Sequence, residues 1–202
     1  MSKTIVFILD ETGSMGPQRE QTITKFNEYL DETAKAVKRL NQIKFTFVSF
    51  NSSKYEVREK DKPIKKVAKI SYETYEPRAS TPLYDAIGKT ISEVKGPALV
   101  VILTDGQENA SKEYNLASIK ALIEAKEKEG WMFVFLGADL SVAGQAGLIG
   151  VNQYSTASYR GSTATAMAAA STISSDYSRG VQLQSTQSYV DEAEKEAKNA
   201  KN

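Results

Sequence analysis

The chain has 202 residues and carries 26 basic and 25 acidic side chains, for a net charge of +1. This length fits one domain with a sizeable core, and the balanced charge gives no whole-chain field that would attract nucleic acid or an anionic membrane. The sequence has no cysteine and no histidine. Disulfides, thiol nucleophiles, Cys/His zinc sites and imidazole bases are therefore excluded, and most familiar catalytic triads are unavailable.

The apolar segments are short. The run before Asp10 is too short for a secretory signal, and the longest internal runs, 98–103 and 131–136, are far below the roughly 20 residues that span a bilayer. The lack of cysteine fits a reducing compartment. We therefore expect a soluble cytoplasmic protein with no membrane or nucleic-acid partner, and the sequence leaves its oligomeric state open.

The first half of the chain predicts a strand, a helix and a hairpin. Residues 4–9 have the apolar pattern of a buried strand, and Gln18 to Leu40 has apolar residues at the three-to-four spacing of an amphipathic helix. Residues 44–50 alternate in the manner of a strand, and a turn leads into 55–58. We expect these two segments to form an antiparallel hairpin at a sheet edge.

The second half alternates further strands and helices. Strands are predicted at 98–103, 131–136 and 151–156, and helices at 82–94, 115–129, within 137–150, and at 162–175. This alternation predicts an α/β fold, doubly wound, with a mostly parallel central sheet, one antiparallel edge strand and helices on both faces. We expect one domain, residues 1–176, and a polar tail, 177–202, that is partly helical or mobile.

Oxygen-bearing side chains lie at the ends of two predicted parallel strands. A turn at 10–14 follows the first strand, Asp105 follows the 98–103 strand, and Thr81 lies at the start of a helix. Loops that follow parallel strands emerge on the same side of a sheet, where ligands bind in open α/β folds. The sequence therefore predicts a site for a hard cation, with these ligands: Asp10, Thr12, Ser14, Thr81 and Asp105.

These residues resemble, one for one, the metal-ion-dependent adhesion site of the von Willebrand factor A family, whose pattern is Asp-x-Ser-x-Ser, then a Thr, then an Asp. Three separated stretches carry the resemblance, at 7–15 (FILDETGSM), 79–86 (ASTPLYDA) and 102–109 (ILTDGQEN). Thr12 replaces the first serine of the pattern but keeps the hydroxyl oxygen. The resemblance covers roughly residues 3–176, and the chain is similar to stand-alone bacterial and phage proteins of this family.

The resemblance implies a divalent cation, Mg²⁺ or alternatively Mn²⁺ or Ca²⁺. Thr12 and Ser14 would contact the ion directly, and the two aspartates would act partly through water. An Asp or Glu carboxylate of a partner protein would then complete the near-octahedral shell that magnesium requires. We expect a metal-dependent protein-binding module and no enzyme, because no evident general base is present to activate water. The family also suggests that the last helix, about Ser162 to Ser175, acts as a switch.

Two alternative functions stay open. The first is a magnesium-dependent phosphotransferase or phosphatase with Asp10 as the nucleophile, as in the haloacid-dehalogenase-like phosphatases. The chain resembles those enzymes less well, because they have a second acid where Thr12 stands. The second is a structural or assembly protein whose metal site is vestigial. Each site residue taken alone also fits a turn or a helix cap.

Several other residues near these loops have simpler interpretations. We expect Asp85 to be a first-turn acid favoured by the helix dipole and Asp139 to cap a helix. Exposed charge is expected for Glu11 and Glu108.

Glycines and tyrosines near the loops also suggest packing roles. The glycines at 144, 147 and 150 match no nucleotide-binding motif and indicate tight helix packing. Three tyrosines flank the metal loops and are expected either to form an aromatic rim or to pack half-buried: Tyr72, Tyr75 and Tyr84.

Overall fold

The computed structural model describes residues 3–36, 43–160 and 162–200. Six strands form one sheet in the order β3-β2-β1-β4-β5-β6. Their bounds are β1 Lys3–Asp10, β2 Ile43–Asn51, β3 Lys54–Pro63, β4 Ala98–Thr104, β5 Met132–Gly137 and β6 Thr156–Ser158. The β2–β3 pair is antiparallel and the other pairs are parallel. The predicted α/β fold, with a mostly parallel sheet and one antiparallel edge strand, is confirmed.

Six α-helices in the described ranges cover the sheet. Their bounds are α1 Arg19–Ala36, α2 Leu83–Glu93, α3 Leu116–Lys128, α4 Leu140–Leu148, α5 Thr163–Arg179 and α6 Thr186–Asn199. The last turn of the first predicted helix, 37–40, lies outside the described residues. Every helix in the described ranges is too short or too polar to cross a membrane.

The central strand β1 contributes to cores on both faces of the sheet, because successive side chains of a strand point in opposite directions. Phe7 packs with Phe26 and Tyr29 of α1, and the ring centroids of Phe7 and Phe26 are 5.2 Å apart. Ile8 belongs to the opposite core, together with Ile87 of α2. Helices α1, α5 and α6 thus cover one face and α2, α3 and α4 the other.

Three local predictions differ from the structure. The last strand is predicted at 151–156 but begins only at Thr156. Val151 instead ends α4, because its backbone N–H donates to the Ala146 carbonyl. The apolar spacing of the 115–129 helix also predicts Leu116 on the face toward the sheet, but Leu116 is 40% exposed and Ile119 and Ile123 are the buried residues of α3. A Cβ added at Gly144 or Gly147 would meet open space, so tight helix packing does not explain these two glycines.

The polar C-terminal stretch forms a helix in the structure. α5 continues past residue 176 to Arg179, and α6 follows after a short connection. Tyr189 and Val190 of α6 are buried in the core that α1 and α5 share. The division into a domain at 1–176 and a tail at 177–202 stays a prediction.

Candidate metal centre

The predicted ligands lie where the chain reverses its progress across the sheet. From β1 the chain moves outward to β2 and β3, and it then crosses back to place β4 on the other side of β1. Such a reversal leaves a crevice at the carboxyl ends of the two central strands, which is where α/β folds bind ligands. Leu9 pairs with Leu103, so Asp10 and Thr104 are side by side at that edge.

Asp10 is completely buried at the end of β1. Its Oδ1 accepts a hydrogen bond from the Thr12 backbone N–H (2.7 Å), and its Oδ2 accepts one from Thr104 Oγ1 (2.6 Å). The hydroxyl of Tyr75 donates to the Asp10 carbonyl oxygen (2.7 Å). Both carboxylate oxygens are therefore held in fixed directions by the protein.

The hydroxyl ligands lie between the two aspartates. Thr12 Oγ1 is 3.1 Å from Ser14 Oγ, and Ser14 Oγ donates to Asp105 Oδ1 over 2.6 Å. A Cβ on Gly106 would lie 2.9 Å from Thr81 Oγ1 and 3.4 Å from Ser14 Oγ. The structure thus brings all five predicted ligands together, and it explains why a residue without a side chain follows Asp105. Thr12 and Thr81 are buried and Ser14 is exposed, so the cluster opens to solvent at Ser14.

The electrostatics of the cluster favour a bound cation. Burial raises the pKa of the Asp10 carboxyl to about 7, although hydrogen bonds from Thr104 and Thr12 oppose the rise, and the charge of Asp105 adds to it. Burial also raises the pKa of Asp105. Within the described residues no lysine or arginine forms an ion pair with either carboxylate. An ion placed between these groups would supply the missing positive charge.

The donor set suits a hard cation that keeps some of its water. Across the described part of the chain, no three acidic, histidine or cysteine side chains group closely enough to hold an ion. The cluster offers two carboxylates and three hydroxyls, all of them oxygen ligands. Magnesium accepts few carboxylates and retains several waters, whereas calcium requires more protein oxygens.

Sequence reasoning missed three residues that organise the cluster. Thr104 holds Asp10, and Tyr75, which was expected at a rim or half-buried, is fully buried against the Asp10 backbone. Asn109 accepts from the Thr81 backbone N–H (2.8 Å) and donates its own N–H to the Thr81 carbonyl. Thr104 and Asn109 lie within the 102–109 motif, so the motif itself contained the signal for two of the three.

Three acids near the site have structural roles. Asp85 accepts from the backbone N–H groups of residues 112–114, in addition to its place in the first turn of α2. Glu108 is half-buried and accepts from the backbone of Tyr84 and Ser111, so the expectation of a simply exposed charge is wrong for it. Asp139 caps α4 as predicted.

Glu11 also departs from the expectation of exposed charge. Glu11 is 2% exposed, and its Oε2 forms an ion pair with Arg58 Nη2 at 2.7 Å.

The other two tyrosines predicted at the rim differ from each other, since Tyr72 is half exposed and Tyr84 is partly buried.

Comparison with known proteins identifies the family. The model of the von Willebrand factor type A domain matches residues 4–167, and the chain belongs to this family. A comparison with curated protein sequences gives no match.

Solved structures share the fold at low sequence identity. A mutant form of the PilB minor pilin from Streptococcus sanguinis is 14% identical, with a TM-score of 0.57, over 89% of this chain and 61% of the pilin. Proximal thread matrix protein 1 from the mussel byssus is 21% identical, with a TM-score of 0.50, over 67% of this chain and 35% of that protein. Another structure of the mussel protein has zinc in its metal-ion-dependent adhesion site (MIDAS) motif. It is 23% identical, with a TM-score of 0.48, over 67% of this chain and 35% of that protein. The chain thus spans less than two thirds of either protein.

Proposed function

We propose that the chain is a metal-dependent protein-binding module. In this proposal Asp10, Thr12, Ser14, Thr81 and Asp105 hold a divalent cation, Mg²⁺ or alternatively Mn²⁺ or Ca²⁺, and a partner protein presents an Asp or Glu carboxylate to it. The observation that carries the proposal is the pair of aspartates, which have no basic partner among the described residues, set around three hydroxyls in one cluster. The bound ion would supply an electrophilic centre for the incoming carboxylate.

The opening of the cluster supports binding from outside. Ser14 is exposed, whereas Asp10, Thr12 and Thr81 are buried beneath it. A ligand would therefore approach an ion from the Ser14 side.

The environment of Asp10 argues against a role as a phosphoryl acceptor. A carboxylate nucleophile must itself reach the phosphorus of a substrate, but Asp10 is inaccessible to solvent. A small cation can enter the cluster and share the lone pairs that remain, since each Asp10 oxygen accepts one hydrogen bond. This supports a binding role over the phosphotransferase alternative. A cytoplasmic location and a bacterial or phage origin remain parts of the proposal.

Titration calorimetry with Mg²⁺ and Mn²⁺ tests the metal half of the proposal. Asp10→Ala removes a proposed ligand. Asp139→Ala is the control: Asp139 lies at the same edge of the sheet, but it caps α4 and is not a proposed ligand. We expect the wild type and Asp139→Ala to bind metal and Asp10→Ala to lose binding. Absence of binding in the wild type would contradict the proposal.

Acetate then serves as a probe for the carboxylate half. With Mn²⁺ bound, added acetate should displace coordinated water and lower the water-proton relaxation rate. The same addition to Asp10→Ala should leave the rate at that of free Mn²⁺ with acetate. If acetate did not change the relaxation rate of the wild-type complex, the ion would be vestigial or purely structural. Pull-down of partners in Mg²⁺ and in chelator gives the corresponding test for proteins.

A further inference from the structure

Glu11 lies between two proposed ligands, Asp10 and Thr12, but its side chain contacts a different part of the molecule. Oε2 accepts from Ser49 Oγ on β2 and from Arg58 Nη2 on β3, both at 2.7 Å. Oε1 accepts from the backbone N–H of Glu76, also at 2.7 Å. The carboxylate therefore joins β2 and β3 to the connection that leads to Thr81.

Backbone hydrogen bonds continue this junction on either side of the carboxylate. The Glu11 carbonyl accepts from the Arg78 N–H (3.1 Å), and the Gly13 N–H donates to the Ala79 carbonyl (3.0 Å). Ala79 has a φ of +63°, in the left-handed region that non-glycine residues seldom adopt. The turn at 11–13 and the segment 76–79, which we call the Thr81 approach, are thus fixed side by side.

Thr81 follows the Thr81 approach by two residues and comes from a different element than the other ligands. Asn109 holds Thr81 to the loop after β4. The Glu11 carboxylate fixes the start of the Thr81 approach to the turn that carries Asp10, Thr12 and Ser14. The Gly13–Ala79 bond and two hydrogen bonds between Ser52 and Ser80 hold its end. Magnesium needs ligands in a near-ideal octahedral arrangement, whereas calcium tolerates variable geometry. A shift of the Thr81 approach would therefore weaken magnesium more than calcium.

We propose that Glu11 is a positioning residue of the metal site, and that it fixes Thr81 relative to Asp10, Thr12 and Ser14 by accepting the Glu76 N–H. This inference rests on the proposed function. Outer-shell groups that orient metal ligands typically change metal affinity by about 10–100-fold when they are removed. The role is specific to the bond between Glu11 and the Glu76 N–H, and Arg58 contributes by balancing the buried charge.

Two double variants separate the hydrogen bond from the charge. Glu11→Gln with Arg58→Met and Glu11→Met with Arg58→Met both remove the ion pair, but glutamine keeps a carbonyl oxygen that can accept the Glu76 N–H. Glu59→Gln is a matched control on β3, because Glu59 is also buried, pairs with Lys62 and accepts from the Ala68 N–H, away from the metal loops.

Calorimetric titrations with Mg²⁺ and with Ca²⁺ measure the effect. We expect the Met/Met variant to bind Mg²⁺ at least about tenfold more weakly than the wild type, with a smaller loss for Ca²⁺. The Gln/Met variant and Glu59→Gln should remain within about threefold for both ions. Hydrogen exchange of residues 76–81 in the metal-free proteins should be faster in the Met/Met variant than in the Gln/Met variant.

The outcomes distinguish this inference from the proposed function. Wild-type Mg²⁺ affinity in the Met/Met variant would overturn the inference, as would equal losses in the two double variants. Equal exchange rates for residues 76–81 in the two variants would also overturn it. A wild type that binds neither ion would instead contradict the proposed function, and the exchange measurement would still test whether Glu11 anchors the Thr81 approach.

Discussion

Asp10 and Glu11 are adjacent buried acids whose charges are balanced in different ways. Arg58 forms an ion pair with Glu11, whereas Asp10 has hydrogen bonds from Thr12 and Thr104 and no basic partner within the described residues. Glu11 thus has its countercharge inside the chain. In the proposed function an external cation plays for Asp10 the part that Arg58 plays for Glu11, because burying an uncompensated charge is costly.

Without Arg58, Glu11 would be a buried acid with no countercharge among the described residues, as Asp10 is. Arg58→Met removes the guanidinium, whose Cζ lies 5.6 Å from the centroid of the Phe47 ring, and leaves the Glu11 carboxylate buried and unpaired. We expect the free energy of unfolding to fall by about 3–5 kcal/mol, the typical cost of removing one partner from a buried pair. Urea unfolding at neutral pH in chelator measures this.

The control for Arg58→Met is the exposed pair Lys60–Glu93. Lys60→Met should change the free energy of unfolding by less than about 1 kcal/mol, because exposed pairs contribute little. If Arg58→Met were no more destabilising than Lys60→Met, the Glu11 charge would not depend on Arg58, and the contrast with Asp10 would fail.

A bound cation would supply the missing charge at Asp10. An ion that binds the folded protein alone raises the free energy of unfolding by about 2.7 kcal/mol at a concentration 100 times its dissociation constant. We expect Mg²⁺ to give a gain of this size in the wild type and no gain in Asp105→Asn. Thermal unfolding in Mg²⁺ and in chelator measures the difference.

Asp139→Asn is the matched control for Asp105→Asn. Asp139 lies at the same edge of the sheet, after β5, but caps α4. Its substitution should leave the Mg²⁺ gain at the wild-type value, since asparagine also caps helices well. A magnesium gain that persists in Asp105→Asn would place the ion elsewhere on the protein.

Most of the fold could be predicted because the central strands are continuous apolar runs. Strand β4 is buried along its whole length, and its sequence pattern has few other interpretations. The short β6 could not be located, because three residues carry little periodicity and its position depends on pairing with Gly137 and its neighbours. Helix α6 was similarly weak in the sequence, since Tyr189 and Val190 supply its buried contacts through tertiary packing.

Four of the five proposed ligands lie at or just after the ends of β1 and β4, where topology alone brings them together, and Thr81 could be added because it lies at the start of a predicted helix. The charge balance around these ligands could not be predicted from sequence. Whether Glu11 is exposed or buried depends on Arg58, 47 residues away in sequence, and on the Thr81 approach. The local sequence around Asp10 and Glu11 contains two acids of similar appearance, and the β2–β3 hairpin determines which of them is neutralised internally.

Removal of the Asp10 charge in the absence of metal should have the smallest effect of the three changes. Asp10→Asn keeps an oxygen for the Thr12 N–H and an amide that can donate to Thr104 Oγ1. Because the pKa of Asp10 is raised to about 7 from an ordinary value of 3.8, the folded protein binds more protons than the unfolded chain between these values. This contribution to the stability of the metal-free wild type is present at low pH and is lost as pH rises toward 7.

The asparagine variant lacks this loss, so its stability relative to the wild type should increase from pH 5 to pH 8. The relative gain should be steepest below pH 7, and we expect Asp10→Asn to be the more stable protein at pH 8, measured by urea unfolding in chelator. Saturating Mg²⁺ should reverse the order at pH 8, because the ion stabilises the wild type alone. If Asp10→Asn were destabilising in chelator at every pH, the Asp10 charge would already be compensated within the protein, and Asp10 would not differ from Glu11.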